Sequence, residues 1–194
     1  MTVYDAESDP SCYENSDVLI NIPGLRVQSE LEKFENIAVA QRSRERLPFG
    51  KLSGVDYFAL HKHLFKDVYR WAGQIRTIRI GKQGNWFCYP EHIQAEIKAI
   101  FDWLETENNL RDLDADDFSE KAAHFIAELN AIHPFREGNG RTQNIFLGIL
   151  ADQGGHPLDF ELLDSGKFLQ AMIESFVGSE EPLAQIIRQV MRAA

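Results

Sequence analysis

The chain is organised around residues 132–144, which read IHPFREGNGRTQN. One imidazole, one carboxylate, a Gly-Asn-Gly turn and an arginine lie within nine residues, from His133 to Arg141. Pro134 disfavours continuation of a helix that reaches His133. Apolar residues resume at helical spacing from Ile145 onward. The stretch therefore predicts a charged loop that joins two helices.

The regions on either side of this loop predict a mostly α-helical chain. Apolar residues recur at helical spacing in several segments, and Ser29 is predicted to open the first of them through a capping box. In that first segment the apolar face is predicted to hold Leu31, Phe34, Ile37 and Ala38. The single convincing strand signal is QIRTIRIGKQGNWFCYP, residues 74–90, which predicts one β-hairpin.

The domain organisation is predicted from the helix breakers Pro48 and Gly50. Residues 1–50 are expected to form an N-terminal helical extension. Residues 51–194 are expected to form the catalytic core as one compact unit.

The composition of the chain limits the kinds of partner that it is expected to bind and the compartment in which it is expected to work. A net charge of −10 argues against non-specific binding to nucleic acid or to an anionic membrane. Two distant cysteines, Cys12 and Cys88, argue for a reducing compartment, and no apolar run reaches the roughly 18 residues of a membrane span. A cytoplasmic protein is expected, and secretion by a distant or C-terminal signal stays an alternative.

The charged loop combines groups that suit phosphate chemistry. Gly138 and Gly140 permit backbone N–H groups to converge on an anion, and the following helix adds its positive end. Arg141 can bind phosphate oxygens. Glu137 would repel phosphate unless a divalent cation such as Mg²⁺ lies between them. With His133 as a proton acceptor, the set indicates phosphoryl or nucleotidyl transfer to a hydroxyl. Each of these groups on its own also occurs without any catalytic role. His133 could be a capping or core histidine, Gly138-Asn139-Gly140 a turn, and Glu137 a charge in the first turn of a helix.

The run HPFREGNGR resembles the signature of the Fic family, HPFx(D/E)GNGRxxR. DVYRWAGQIRTIRIGKQGNWFCYP is similar to the family's stretch that leads into its β-hairpin flap, and SDVLINIPGLRVQSELEKFE resembles the N-terminal helices of bacterial members. The resemblance implies a Fic-like helical bundle with one β-hairpin flap.

The resemblance also implies an activity, the transfer of AMP from ATP to a Ser, Thr or Tyr hydroxyl of a target protein. His133 would deprotonate the hydroxyl, and Glu137 would hold Mg²⁺ on the nucleotide phosphates. The other residues that it implies for nucleotide binding are Arg136, Gly138, Asn139, Gly140, Arg141 and Asn144.

The hairpin fits the same activity, because an exposed strand edge can pair with an extended target segment. The candidates for contact with target or nucleotide are Lys82, Gln83, Gly84 and Asn85. An ordinary surface hairpin is the alternative.

The sequence departs from the family pattern in two places. Asn144 stands where the signature has its second Arg. Many Fic proteins are held inactive by an inhibitory helix with the pattern (S/T)xxxE(G/N). The nearest match in this chain is Glu35-Asn36, but the residue four positions before Glu35 is Leu31 and not Ser or Thr. The chain therefore resembles members whose inhibitor is a separate small antitoxin, some of which are toxins acting on type II topoisomerases.

Two alternatives to AMP transfer remain open at this point. The first is a Fic-fold transferase that uses UTP, GTP or a phosphocholine carrier as donor. The second is a degenerate Fic fold that serves only as a binding module.

Overall fold

The computed structural model describes residues 9–48, 50–82 and 84–192. Seven α-helices lie in these ranges: α1 (Gln28–Arg42), α2 (Gly54–Phe65), α3 (Ile93–Thr106), α4 (Ala115–Ile132), α5 (Asn139–Gly154), α6 (Ser165–Phe176) and α7 (Glu181–Gln189). Strands β1 (Gly81–Lys82) and β2 (Asn85–Trp86) pair antiparallel. The prediction of a mostly α fold with one hairpin is confirmed. Within the described ranges, no helix has both the length and the apolar character needed to cross a bilayer.

The chain divides into two compact units. One unit comprises Met1–Ile93 with Pro134–Thr142, and the other comprises Gln94–His133 with Gln143–Ala194. Residue 50 lies inside the first unit, and the division into residues 1–50 and 51–194 stays a prediction. Within the first unit α1 packs against α2, with Leu31 and Leu60 both fully buried.

Helix α1 buries a different face from the one predicted. Its buried residues are Leu31, Glu35 and Val39, whereas Ile37 is 69% exposed. The predicted capping box is also absent, because Val27 is the N-cap and makes no side-chain cap bond. A carboxylate on the buried face needs polar partners inside the fold. Those partners turn out to belong to the functional site.

Helix α2 starts at a capping box and presents an aromatic face. The Ser53 hydroxyl accepts from the Asp56 N–H at 3.3 Å, and the Asp56 carboxylate accepts from the Ser53 N–H at 2.9 Å. Tyr57, His61 and Phe65 follow at intervals of four residues and are all fully buried. Residues at that spacing share one side of a helix.

The second unit is built around α4. Asp114 caps this helix by accepting the N–H groups of Asp116 and Asp117 at 3.0 and 2.9 Å. Helices α6 and α7 pack against α4. Phe101 contacts both Phe125 and Phe146 edge-on, at ring-centroid distances of 5.4 and 5.6 Å. This core supports the end of α4, where the signature begins.

Candidate functional site

The loop that carries the family signature follows His133. The chain passes from the second unit to the first at Pro134 and returns to the second unit at Gln143. Residues 134–142 belong to the first unit, whereas His133 and Asn144 belong to the second. Residues 132–139 are all buried, although the run carries three charged or titratable side chains. Such a loop is stable only where its polar groups find partners.

Asn139 holds the loop in shape through its side-chain amide. Its Oδ1 accepts from the Phe135 N–H at 2.9 Å, and its Nδ2 donates to the Phe135 carbonyl at 2.7 Å. Asn139 is 1% exposed. Its amide oxygen and nitrogen thus both bond to the loop's own backbone. Its predicted contact with nucleotide stays a prediction.

A buried histidine fixes the same loop from α2. The His61 ring stacks on Phe135 with centroids 3.7 Å apart. Its Nδ1 accepts from the Gly73 N–H at 2.8 Å, so Nε2 carries the proton and donates to the Glu137 carbonyl at 2.9 Å. Burial, and to a lesser extent the charge of Arg141, lowers the pKa of His61 to about 3. His61 is therefore a neutral structural residue.

The Glu137 carboxylate is buried, and only one of its two oxygens has a hydrogen-bond partner among the described residues. Its Oε1 accepts from the Gly138 N–H at 2.9 Å and lies 3.4 Å from Arg141 Nη2. Its Oε2 is buried and has no hydrogen-bond partner among the described residues. Burial, followed by the charge of Glu35, raises the pKa of Glu137. A carboxylate oxygen left in this way is a suitable ligand for a hard cation, so the residue fits the predicted Mg²⁺ role.

Arg141 is held by a buried carboxylate from α1. Its Nη2 donates to Glu35 Oε1 at 2.5 Å, and Tyr69 donates its hydroxyl to Glu35 Oε2 at 2.5 Å. The guanidinium also lies over the Phe65 ring, 4.8 Å from its centroid. The Arg141 side chain stays 31% exposed, so an anion can still reach it. Sequence reasoning missed Glu35 and Tyr69 as site residues, because only the fold brings them to Arg141.

The two glycines of the signature have different roles. Gly138 has a φ of +83°, and a Cβ there would lie 2.3 Å from the Phe65 ring. Gly140 lies in the first turn of α5, and a Cβ there would meet nothing within 4 Å. Of the two glycines, only Gly138 has a positive φ. Gly140 instead leaves open space at the helix N-terminus.

Arg136 was predicted to bind nucleotide, but the structure pairs it with Asp9. Arg136 Nε donates to Asp9 Oδ2 at 2.5 Å, and Arg136 is 8% exposed. Burial disfavours ionisation of Asp9, but the charge of Arg136 and the N–H of Ser11 outweigh burial and lower the pKa of that carboxyl. A nucleotide would have to compete with Asp9 for Arg136, so its predicted contact stays a prediction.

His133 ends α4 in a left-handed conformation, with a φ of 48°. Its N–H donates to the Leu129 carbonyl at 3.0 Å, and its Nδ1 lies 3.3 Å from the Asn130 carbonyl. A carbonyl only accepts, so Nδ1 carries the proton and Nε2 is the basic nitrogen. Asn144 follows Arg141 by three residues in α5 and is partly exposed. Residues three apart on a helix lie on the same side.

The hairpin has the predicted position. Lys82 pairs with Asn85 and Gly81 with Trp86, and Gly84 in the turn has a φ of +81°. Lys82 and Asn85 are partly buried, whereas Gly84 is exposed. Gln83 lies outside the described residues.

Arg76 joins the hairpin to the signature within the first unit. Its backbone N–H donates to the Pro134 carbonyl at 3.0 Å. Its guanidinium donates to the Ile78 carbonyl at 2.6 Å and to the Cys88 carbonyl, one on each leg of the hairpin. Arg76 is 4% exposed. Sequence reasoning missed this residue, since its neighbours suggested only strand alternation.

The outer surface of the hairpin is aromatic. Arg79 lies over the rings of Trp86 and Tyr89, with 5.0 and 3.8 Å to the centroids. It also donates to the Tyr89 hydroxyl at 2.8 Å. Trp86 and Tyr89 remain 43% and 47% exposed. Exposed aromatic side chains of this kind are enriched at protein interfaces.

Comparison with known proteins gives consistent matches. A family model described as the Fic/DOC family matches residues 51–151. The chain is 47% identical over 192 residues to "Probable protein adenylyltransferase y4lH" of Sinorhizobium fredii, which covers 98% of this chain and 100% of that protein. It is 36% identical to "Protein adenylyltransferase VbhT" of Bartonella schoenbuchensis, over 97% of this chain and 40% of that protein. The crystal structure of BepC from Bartonella tribocorum with bound AMPPNP matches 95% of this chain and 97% of that chain, with a TM-score of 0.85 and 25% identity.

Proposed function

Because the chain belongs to the Fic/DOC family, we propose that it is a protein adenylyltransferase that moves AMP from Mg-ATP to a Ser, Thr or Tyr hydroxyl of a target protein. One observation carries the proposal. Glu137 buries a carboxylate oxygen that has no hydrogen-bond partner within the described part of the chain, next to the partly exposed Arg141 and the open space at Gly140. The relatives named as adenylyltransferases and the AMPPNP bound to BepC support the same activity.

His133 is proposed to accept the proton of the target hydroxyl. The hydrogen bond from Nδ1 to Asn130 leaves Nε2 as the basic nitrogen. As the proton moves to Nε2, the hydroxyl oxygen forms a bond to the α-phosphorus of ATP. The bond from that phosphorus to the bridging oxygen breaks, and pyrophosphate leaves with the bonding electrons.

Glu137, Arg141 and the start of α5 are proposed to hold the nucleotide phosphates. Mg²⁺, when bound at Glu137, would neutralise phosphate charge and orient the oxygens. Arg141 supplies a cation whose position is set by Glu35 and Phe65. The free N–H groups in the first turn of α5 favour an anion, and Gly140 leaves room for it.

The hairpin is proposed to dock the target protein. Trp86 and Tyr89 offer exposed aromatic surface, and a short strand edge offers backbone partners for an extended segment. Arg76 keeps both hairpin legs in a fixed relation to Pro134, so a docked segment would have a defined position relative to the first-unit part of the signature.

Control by a separate small antitoxin is also part of the proposal, together with a type II topoisomerase as target in the cytoplasm. Cys12 and Cys88 are not joined by a disulfide, which fits a reducing compartment. The Glu of the inhibitory pattern pairs with the second Arg of the signature. In this chain Glu35 bonds Arg141 instead, and Asn144 stands at the position of the second Arg.

A second candidate function is a transferase of the same fold with another donor, and Asn144 is the observation that favours it. The Arg that would recognise a γ-phosphate is missing at that position. A donor without a γ-phosphate, such as a phosphocholine carrier, would lose nothing by the change.

The test uses ATP radiolabelled at either the α- or the γ-phosphate, added with the protein to a bacterial lysate. AMP transfer predicts that a target band keeps the α-label and never the γ-label, with a mass increase of one adenylyl group. Label from UTP, GTP or a phosphocholine carrier instead of ATP would establish the second candidate. No transfer from any donor would leave a binding module.

A further inference from the structure

A cluster of three possible metal ligands lies in the second unit, outside the signature. His124 and Glu128 are one turn apart on α4, and Glu180 immediately precedes α7. One ligand atom from each side chain lies within 4.8 Å of the others. Residues four apart on a helix project to the same side, so two ligands come from one helix face and the third from its neighbour.

The geometry between His124 and Glu180 suits a shared cation. His124 Nδ1 lies 3.2 and 3.3 Å from the two oxygens of Glu180. Zn²⁺ bonds to nitrogen and oxygen ligands are roughly 2.0–2.2 Å long, so two ligands of a tetrahedral ion are separated by roughly 3.3–3.4 Å. The imidazole and the carboxylate are therefore already spaced as neighbouring ligands of such an ion.

Glu180 is turned towards His124 although a helix start lies next to it. It occupies the N-cap position of α7 and makes no side-chain cap bond, so its carboxylate interacts with His124 and not with the helix start. The His124 ring is set by Trp103, which it meets at 71° with centroids 5.0 Å apart. The side chains of His124 and Glu180 are 41% and 34% exposed, so an ion can enter from solvent.

We propose that His124, Glu128 and Glu180 form a Zn²⁺ site that clips α4 to α7. One imidazole and two carboxylates are common Zn²⁺ ligands, and water completes the fourth position. Two carboxylates supply the negative charge that a divalent cation requires. The role of the site is structural. Helix α4 ends at His133, and a metal ion that links α4 to α7 restrains the helix that carries this residue.

The test is calorimetric titration of metal-stripped protein with Zn²⁺ in the absence of nucleotide. Both cysteines are first replaced, as Cys12→Ser and Cys88→Ser, because thiolates bind Zn²⁺ on their own. We expect one saturable site with micromolar affinity and a rise in Tm that levels off at one equivalent. His124→Gln and Glu180→Gln should each weaken the affinity by at least about tenfold.

The matched control is His92→Gln, which removes an exposed histidine that is not one of the three proposed ligands and should leave the Zn²⁺ affinity unchanged. Co²⁺ in place of Zn²⁺ gives a second readout, since four-coordinate Co²⁺ absorbs visible light strongly and the band should vanish in Glu180→Gln. Zn²⁺ binding that survives both His124→Gln and Glu180→Gln would overturn the proposal, and so would the lack of any saturable site. Urea unfolding without metal shows whether each variant is folded.

Discussion

Arg141 and Glu35 form an ion pair of 2.5 Å, although 106 positions separate them in the sequence. The carboxylate that receives Arg141 is 2% exposed and is also bonded to the Tyr69 hydroxyl. The guanidinium that is proposed to bind phosphate is therefore positioned before any nucleotide arrives. A cation fixed in advance loses little freedom on binding its anion.

This pair predicts a large cost for Glu35→Ala. Removing the carboxylate leaves Arg141 and the Tyr69 hydroxyl without their shared partner, and breaking a buried pair costs roughly 3–5 kcal/mol. Because Arg141 is partly exposed, we expect about 2–3 kcal/mol less free energy of unfolding. Urea denaturation measures the change. Glu35→Gln should cost less, since its amide still accepts from Tyr69, and Asn36→Ala on the exposed face of α1 serves as control. Equal small effects for all three variants would contradict the pairing.

The two signature glycines predict opposite results for the same substitution. Gly138→Ala forces a Cβ against Phe65 in a left-handed backbone, so we expect about 2–4 kcal/mol of destabilisation. Gly140→Ala should leave stability unchanged or slightly raised, because alanine favours a helix. It should nonetheless weaken Mg-ATP binding, since the methyl group enters the space beside the first turn of α5. Denaturation and calorimetry on both variants check the pair. Unchanged Mg-ATP affinity in Gly140→Ala would show that phosphate does not approach there.

His61 predicts a loss of stability in acid. Its pKa is about 3 in the folded protein against an ordinary 6.5, so between these values the unfolded chain binds a proton that the folded chain does not. The free energy of unfolding should therefore fall as pH falls through this window, by at most about 1.4 kcal/mol per pH unit from this residue.

Protonation of Glu137 changes the free energy of unfolding in the opposite direction. Glu137 must therefore be replaced before the effect of His61 protonation can be measured. Its pKa is raised in the folded state, so protonation of Glu137 on acidification favours folding. Urea unfolding across the pH range is therefore compared in Glu137→Gln and in Glu137→Gln with His61→Phe. The second variant should be less stable at neutral pH but flatter below about 6.5. Parallel curves would show that His61 does not titrate in this way.

How much the sequence could predict depends on how local each feature is. The hairpin, the helices and the loop after His133 follow from turn residues and periodicity, which act over a few positions. The pairing of Arg136 with Asp9 and of Arg141 with Glu35 joins distant segments, and no local pattern marks these partners. For the same reason the buried face of α1 was predicted wrongly, because a charged residue on that face becomes favourable only once its partners are in place.

Asn144 predicts weak discrimination between ATP and ADP. An Asn at this position, three residues after Arg141 in α5, is shorter than Arg and uncharged. Hydrogen bonds to charged groups are worth about 1.5–3 kcal/mol, so Asn144→Arg should raise the preference for ATP over ADP by at least about tenfold and speed AMP transfer. Calorimetry with both nucleotides measures the preference. An unchanged ratio together with rapid transfer by the Asn form would show that this position does not face the γ-phosphate.

The central claim, AMP transfer with His133 as the base, is tested most directly by single-turnover transfer from α-labelled ATP to a purified target. Two variants are compared with the unchanged protein, His133→Ala and His133→Asn, because asparagine tolerates the left-handed backbone found at this position. Both should transfer about 10²–10⁴-fold more slowly while binding Mg-ATP with unchanged affinity. Transfer at the original rate by a folded His133→Asn protein would contradict the account.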